Sequence, residues 1–419
     1  MSLVELELEL ETPLFAGGHE PQKLDELWIL RPSEVKGVWR WWTRALVAGA
    51  LYDSGQLKGI GKRGILKAPT LAEADRISKI VGIDIGLGYA DPRGRLSKAS
   101  NYSLIVEPID VERFKRTYQG GPIAIRREKV SLQRATLLTL GKEADRKYIE
   151  YLAPGARFRL KIEERSPTNR ETIEAALLAL SLALTFEGFG KGGRRGLGCF
   201  RVVRPPRGTY ATIFDTRITP AEKVRRAISV VRKLTNVRAI ESEEGELPPL
   251  PSISARKLAG NYIIKERDLR PFQVVEIKGS NANRLLEGLH NFFLRGVRAK
   301  KLLGNHATPD ILRQRFIAWA LGLPREQRGT GYKILAGDVD RRASPLLLAV
   351  HEIASEGIAY LSVFVSADWP AQLIWRGKGE TTRQITISER DVATALATAV
   401  EEFVDYAEKC GFKVNFIWP

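Results

Sequence analysis

Gly188–Phe200 reads GFGKGGRRGLGCF, and its place between a helix and a strand decides the fold. Six of its first eleven residues are glycine, with Lys191, Arg194 and Arg195 among them. Glycine allows backbone N–H groups to turn outward and another chain to come close. Backbone donors beside guanidinium groups make an anion site, and the anion expected for a basic chain is phosphate. A flexible linker of this length would carry Ser and Thr, and this stretch has neither. Gly188, Gly190 and Gly193 formally satisfy GxGxxG, but a dinucleotide loop lies between a strand and a following helix. Here the order is reversed. No Ser or Thr follows Lys191, so a Walker loop fails as well.

Working outward, Thr168 with Glu171 reads as a capping box that opens an apolar helix to about Phe186, and Cys199–Val203 reads as a strand. Upstream, residues 3–11 (LVELELELE) alternate apolar and acidic, the period-two pattern of a half-buried strand. A helix follows Pro32, with Ser33 expected as its N-cap and Glu34 favourable at the positive end. Val35, Val38, Trp39, Trp42, Ala45 and Leu46 form its core stripe. Lys36, Arg40 and Arg44 recur along another side, and Gly37 in the first turn costs about 1 kcal/mol relative to Ala. A phosphate backbone approaching the helix start would account for that glycine. Trp41 lies off the apolar stripe, which makes it the better stacking candidate.

Residues 101–108, 129–140 and 157–163 read as strands, with 53–100 as an insertion. The N-terminal part therefore reads as strand, helix, two strands, helix, strand, with an enlarged middle that holds the additional strand. The same order recurs after a helix from Pro220 to about Leu234, capped by Thr219, and an acidic proline-rich connector, ESEEGELPPLP (241–251). Its elements are a strand at 272–278, helices at 283–297 and 311–321, a basic loop at 324–342, a hairpin at 346–366, a helix from Ser388 and a strand at 412–417. The expected fold is α+β: two ferredoxin-like, RRM-like βαββαβ domains with insertions, over 1–205 and 206–419.

The 419 residues carry 66 Lys and Arg against 49 Asp and Glu, a net charge of +17, which favours a polyanionic partner. Two distant cysteines and four histidines without ligand spacing point to no disulfide framework, no metal and no cofactor. The first residues do not read as a signal peptide, no run of 18 apolar residues occurs, and a cytoplasmic, membrane-free location is expected. The many charges with little Cys and Met lean toward a heat-adapted source.

A glycine-rich loop between the last helix and last strand of a ferredoxin-like unit resembles the signature of the RAMP superfamily of CRISPR-associated proteins. TPLFAGG (12–18), LRPSEVKGVWRWWTRAL (30–46), LGLPR (321–325) and RRASPLLL (341–348) resemble motifs of the first-subunit family of the Cmr complex, a type III-B RNA-guided effector. That resemblance implies a non-catalytic subunit near one end of the complex. Its partners would be CRISPR guide RNA, target single-stranded RNA or both, and other Cmr subunits. It implies RNA contacts by Ser33, Lys36, Gly37 and Arg40, by Lys191, Arg194 and Arg195, and by Arg325, Arg341, Arg342 and Ser344. Gly17 and Gly18 after the first strand, and Arg44 farther along the helix, complete the expected surface. The alternative is a metal-independent RAMP endoribonuclease that processes CRISPR RNA, with His19 as its general base. Asp338 and Asp340 read as turn acids balancing Arg341 and Arg342.

Overall fold

The computed structural model describes residues 2–17, 20–25, 29–62, 64–91, 94, 96–125, 128–139, 148–238, 244–294, 311–323, 325–327, 332–336, 342–353, 355–376 and 382–419. Two four-stranded antiparallel sheets organise it. The first contains β1 (Ser2–Leu10), β2 (Tyr102–Asp110), β3 (Arg157–Glu164) and β4 (Phe200–Val202), in the spatial order β4-β1-β3-β2. Helices α1 (Pro32–Asp53) and α2 (Arg170–Phe186) are its two crossovers. α3 (Pro220–Leu234) packs against both. The second sheet contains β5 (Phe272–Gly279), β6 (Leu346–Ile353), β7 (Glu356–Phe364) and β8 (Lys413–Trp418), in the order β6-β7-β5-β8. Its crossovers are α4 (Ala282–Leu294) and α5 (Glu389–Lys409). Numbered within each unit, both sheets have the order 4-1-3-2. The fold is mixed α/β, with strand, helix, two strands, helix, strand in each half.

The period-two pattern of β1 works as its residues dictate. Val4, Leu6, Leu8 and Leu10 are buried against the helices, while Glu5, Glu7 and Glu9 face the other way. There they meet cations placed by register: Arg157 pairs with Glu9 at 2.9 Å, Arg201 with Glu9 at 2.6 Å, Arg204 with Glu7 at 3.2 Å and Arg159 with Glu5 at 3.4 Å. Burial pushes the Glu9 carboxyl up, but Arg201 and Arg157 more than offset it and hold it below the usual range.

The layers alternate sheet, helices, sheet, helices. One core cluster runs from β1 through Trp39, Trp42 and α2 to Phe272, Val274 and Phe364 on the near face of the second sheet. Val275 and Ile277, one step out of phase on β5, belong to a second cluster with Leu285, Leu289, Leu396 and Phe403. Trp42 marks the seam: its ring lies 5.8 Å from Phe186, 5.7 Å from Phe364 and 6.3 Å from Phe272. Its indole donates to Glu187 Oε2 at 2.8 Å. Trp39 donates to the Ala176 carbonyl at 2.6 Å. Both are core residues.

The outer edge of β6 lies against the first half. The Leu348 amide donates to the Arg194 carbonyl at 3.1 Å, Val350 to Cys199 Sγ at 3.4 Å and Glu352 to Glu11 Oε1 at 2.9 Å. Cys199 and Cys410 are both free thiols, and burial pushes Cys199 up to about 12.

Several local expectations are corrected. α1 begins at Pro32 with Arg31 as its N-cap and no side-chain cap bond, so Ser33 lies inside the first turn. Proline suits the first helical position because its missing N–H would be unpaired there. α2 is capped by Asn169, whose Oδ1 accepts from Thr172 N at 2.8 Å, and not by Thr168, whose hydroxyl donates to Ser166 O. Residues 129–140 are not one strand. A short strand, Glu128–Val130, is followed by a helix, Gln133–Thr139, in keeping with the Leu, Gln, Arg and Ala there. The helix expected at 311–321 breaks at Phe316, where φ is +57°, into Ile311–Gln314 and Ala318–Leu321. The basic loop at 324–342 contains strands Arg325–Gln327 and Tyr332–Ala336. They join Gln372–Arg376 and Thr382–Thr386 in a third four-stranded sheet.

Candidate nucleic-acid interface

The glycine loop is folded on itself. Phe189 N donates to Gly198 O at 2.9 Å, Gly188 N to Gly193 O at 3.1 Å, Arg195 N to Gly192 O at 2.8 Å and Gly193 N to Gly190 O at 3.2 Å. Lys191 N reaches Phe15 O at 2.8 Å, Gly198 N reaches Pro13 O at 2.9 Å, and Gly190 N donates to the Glu34 carboxylate. Most of the amides expected to cradle a phosphate are therefore already paired. The glycines answer to crowding: a Cβ on Gly188 would stand 2.0 Å from Leu197 O, and one on Gly198 2.0 Å from Phe189 O.

The loop's cations divide by role. Arg195 turns into the seam, donating to Leu346 O at 2.9 Å and Leu321 O at 3.1 Å, with its guanidinium 4.0 Å from the centre of the Phe293 ring. Arg194 donates to Glu187 Oε1 at 3.2 Å and lies 4.8 Å from the centre of the Trp41 ring. Burial pushes the Glu187 carboxyl up, against the pull of Arg194 and of the Trp42 indole. Trp41, also packed edge-on against Phe364 at 5.1 Å, is thus covered by the protein's own groups and is not a free stacking platform. Lys191 Nζ donates to the Pro21 carbonyl, and burial lowers its pKa.

The helix start presents the opposite situation. Ser33, Gly37, Arg40 and Arg44 are all exposed and, at 3.6 residues per turn, fall along one line of α1. Lys36 flanks that line and is half-buried; burial, then Arg40 and Arg165, lowers its pKa. Arg40 braces the inserted segment, donating to Leu87 O at 2.5 Å and 3.0 Å and to Gly88 O at 3.1 Å, while leaving an exposed flank. Burial and then Arg44 lower its pKa. Arg44 has no hydrogen bond or ion pair among the described residues. A Cβ at Gly37 would meet nothing within 4 Å, so internal packing does not require a glycine there.

The two elements meet at a cleft of about 440 Å³ lined by Gly17, Arg31, Ser33, Glu34, Gly190 and Lys191. Arg31 and Glu34 are members that sequence reading did not assign to a site. Arg31 donates to Gly17 O at 2.7 Å and to Asp25 at 3.3 Å. Burial pushes the Glu34 carboxyl up. The one available signal was their position astride the Pro32 helix start.

The third expected element does not join them. Arg342 is folded inward, donating to Asp368 Oδ1 at 2.8 Å and Asp368 O at 3.0 Å, over the Trp369 ring at 4.8 Å. Ser344 is buried, its hydroxyl exchanging bonds with the Leu346 backbone at 3.2 Å. Arg325 sits on a strand whose backbone alone is described. Gly18, His19, Asp338, Asp340 and Arg341 lie outside the described residues. Among the described residues no cluster of three or more His, Cys, Asp or Glu could hold a metal, and no helix is long and apolar enough to cross a membrane.

Residues 7–201, which take in the glycine loop, match the RAMP superfamily. No curated protein sequence matches the chain. Among solved structures, the chain is similar to Cmr1 from Pyrococcus furiosus in its apo form, at 16% identity and a TM-score of 0.49, covering 100% of this chain and 99% of that one. It is also similar to a chain of the type III-B Cmr-beta assembly bound to cognate target RNA, at 15% identity and a TM-score of 0.48, covering 95% and 99%. The same assembly with AMPPnP and single-stranded DNA gives 14% identity, a TM-score of 0.49 and coverage of 96% and 99%.

Proposed function

We propose that this chain is a non-catalytic RNA-binding subunit of a cytoplasmic CRISPR type III-B effector complex, built from two ferredoxin-like, RRM-like domains. The observation that carries the reading is Gly37. It stands in the first turn of α1 with open space beside it, in line with exposed Arg40 and Arg44 and next to Lys36. A helix start with room for close approach and three cations alongside suits a phosphate backbone. The RAMP match over residues 7–201 and the net charge of +17 support the same partner. The RNA is guide, target or both, and neighbouring Cmr subunits complete the assembly. Phosphate contacts come from the α1 line and Lys191, with sequence read by guide–target pairing.

The test is single-stranded RNA binding across a salt series by the full chain and by a variant with Lys36, Arg40, Arg44 and Lys191 all changed to Ala. Affinity falls with rising salt, and the variant binds more weakly with a shallower slope, by about 0.7 per lost contact. RNA affinity unchanged in the variant overturns the site. Incubating repeat-containing RNA with the protein in EDTA tests the non-catalytic part: specific cleavage that is lost in His19→Ala favours the endoribonuclease.

A further inference from the structure

A second cavity, of about 320 Å³, lies at the seam between the two halves, far from the α1 line in its chemistry. Its walls are mostly apolar, with Leu184 of α2, Phe200 of β4, Phe214 and Ile218 of the segment before α3, and Tyr360 of β7, and polar groups of Arg201, His351 and Glu352 at its margin. This size is at the lower end of the roughly 300–1,000 Å³ range of ligand pockets. Lys223, in the first turn of α3, lines the same space.

The charged groups around Lys223 are engaged elsewhere. Arg201 pairs with Glu9 at 2.6 Å and Glu11 at 3.7 Å. His351 contacts Glu11 Oε2 at 2.6 Å through Nδ1 and Thr185 O at 2.9 Å through Nε2. Asp215 is gripped by Arg217 at 2.6 Å and 3.0 Å. Glu352 has partners of its own. The Lys223 ammonium has no hydrogen bond or ion pair with any described residue. Burial pulls its pKa down to about 8, with Asp215 opposing. Lys223 is half-buried beside largely apolar walls, and the one carboxylate that acts on it, Asp215, is already paired with Arg217, so an incoming anion supplies a counter-charge the site lacks.

We propose that this seam cavity binds a compact amphipathic anion, a carboxylate or phosphate monoester on a short hydrocarbon or aromatic body, with Lys223 holding the head group. The body fills the space between Leu184, Phe214 and Tyr360, so a bound ligand ties the first half to the second. This site is independent of the RNA reading.

The experiment titrates the full chain with 4-phenylbutyrate, phenyl phosphate and the uncharged 4-phenylbutanol by calorimetry at neutral pH. At least one anion binds saturably, and the alcohol binds about tenfold or more weaker, as a charge-assisted bond requires. Which anion binds distinguishes a carboxylate source from a phosphate source. Lys223→Met brings the anion down to the level of the alcohol, and wild-type affinity falls as the pH passes about 8. In the wild-type chain the bound anion also slows modification of the Lys223 amine by trinitrobenzenesulfonate, read by peptide mass. No saturable binding of either anion at millimolar concentration, equal affinity in Lys223→Met, or no protection of the amine overturns the proposal.

Discussion

Replacing Arg195 by Ala separates the two roles open to a glycine-loop cation. The side chain donates to Leu346 O at 2.9 Å and Leu321 O at 3.1 Å and lies 4.0 Å from the centre of the Phe293 ring. Each charge-assisted bond contributes roughly 1.5–3 kcal/mol and the ring contact roughly 0.5–2 kcal/mol. Partial exposure and relaxation of the carbonyls toward water place the total near the lower end of that sum, about 3–5 kcal/mol. With a urea slope of about 3 kcal/mol/M, the midpoint drops by about 1–1.7 M. Urea unfolding followed by tryptophan fluorescence measures this, with Arg44→Ala as a surface control expected to stay within about 0.5 kcal/mol. A double-mutant cycle with Phe293→Leu isolates the ring contact. RNA affinity of folded Arg195→Ala should change little. An unchanged urea midpoint together with weaker RNA binding and a shallower salt slope would refute this reasoning and return Arg195 to the RNA surface.

The loop's crowding gives a second test: Gly198→Ala, where φ is +66° and the new Cβ would stand 2.0 Å from Phe189 O, should sharply lower the yield of folded protein, as read by circular dichroism. Gly37→Ala, with nothing within 4 Å, should instead raise the melting temperature while weakening RNA binding. Glu187 supplies a pH test. Its folded pKa is raised by burial, so the associated stability is full below the unfolded carboxylate value and is lost as pH rises through the folded one. Glu187→Gln should flatten that limb of the stability curve. Glu9 has the opposite sign: its pKa is lowered overall, so its contribution is present above the unfolded value and lost as pH falls through the folded one. Glu9→Gln should therefore match the wild type only in acid.

The elements with local signatures were legible in the sequence. The alternation in LVELELELE places Leu6 and Leu8 inward and Glu7 and Glu9 outward, as found. Ser388 and Thr219 are N-caps, and Gly411 ends α5 with φ at +81°. The α1 stripe of Val35, Trp39, Trp42 and Ala45 is buried. What escaped depends on distant partners. Nothing near Arg195 indicates that Leu321 and Leu346 will accept from it, and nothing near Arg342 indicates Asp368. Glycine freedom serves an outward-facing nest and a tightly self-bonded loop equally well, and the sequence carries no mark of which. The strands Arg325–Gln327 and Tyr332–Ala336 are short, and their sheet is completed by residues some forty positions later, beyond the reach of periodicity.

The amides of Leu348, Val350 and Glu352 alternate along the open side of β6, and each is taken by a different kind of acceptor: a carbonyl, a thiol and a carboxylate. A bare strand at a sheet border is a template for another chain. Here the first half acts as a seal on that border without contributing a strand to it. Without Arg194, Cys199 and Glu11 to accept from it, this border would present three unpaired donors in register. The seal thus ties the exposed edge of the second sheet to the integrity of a loop whose sequence alone suggested only a ligand.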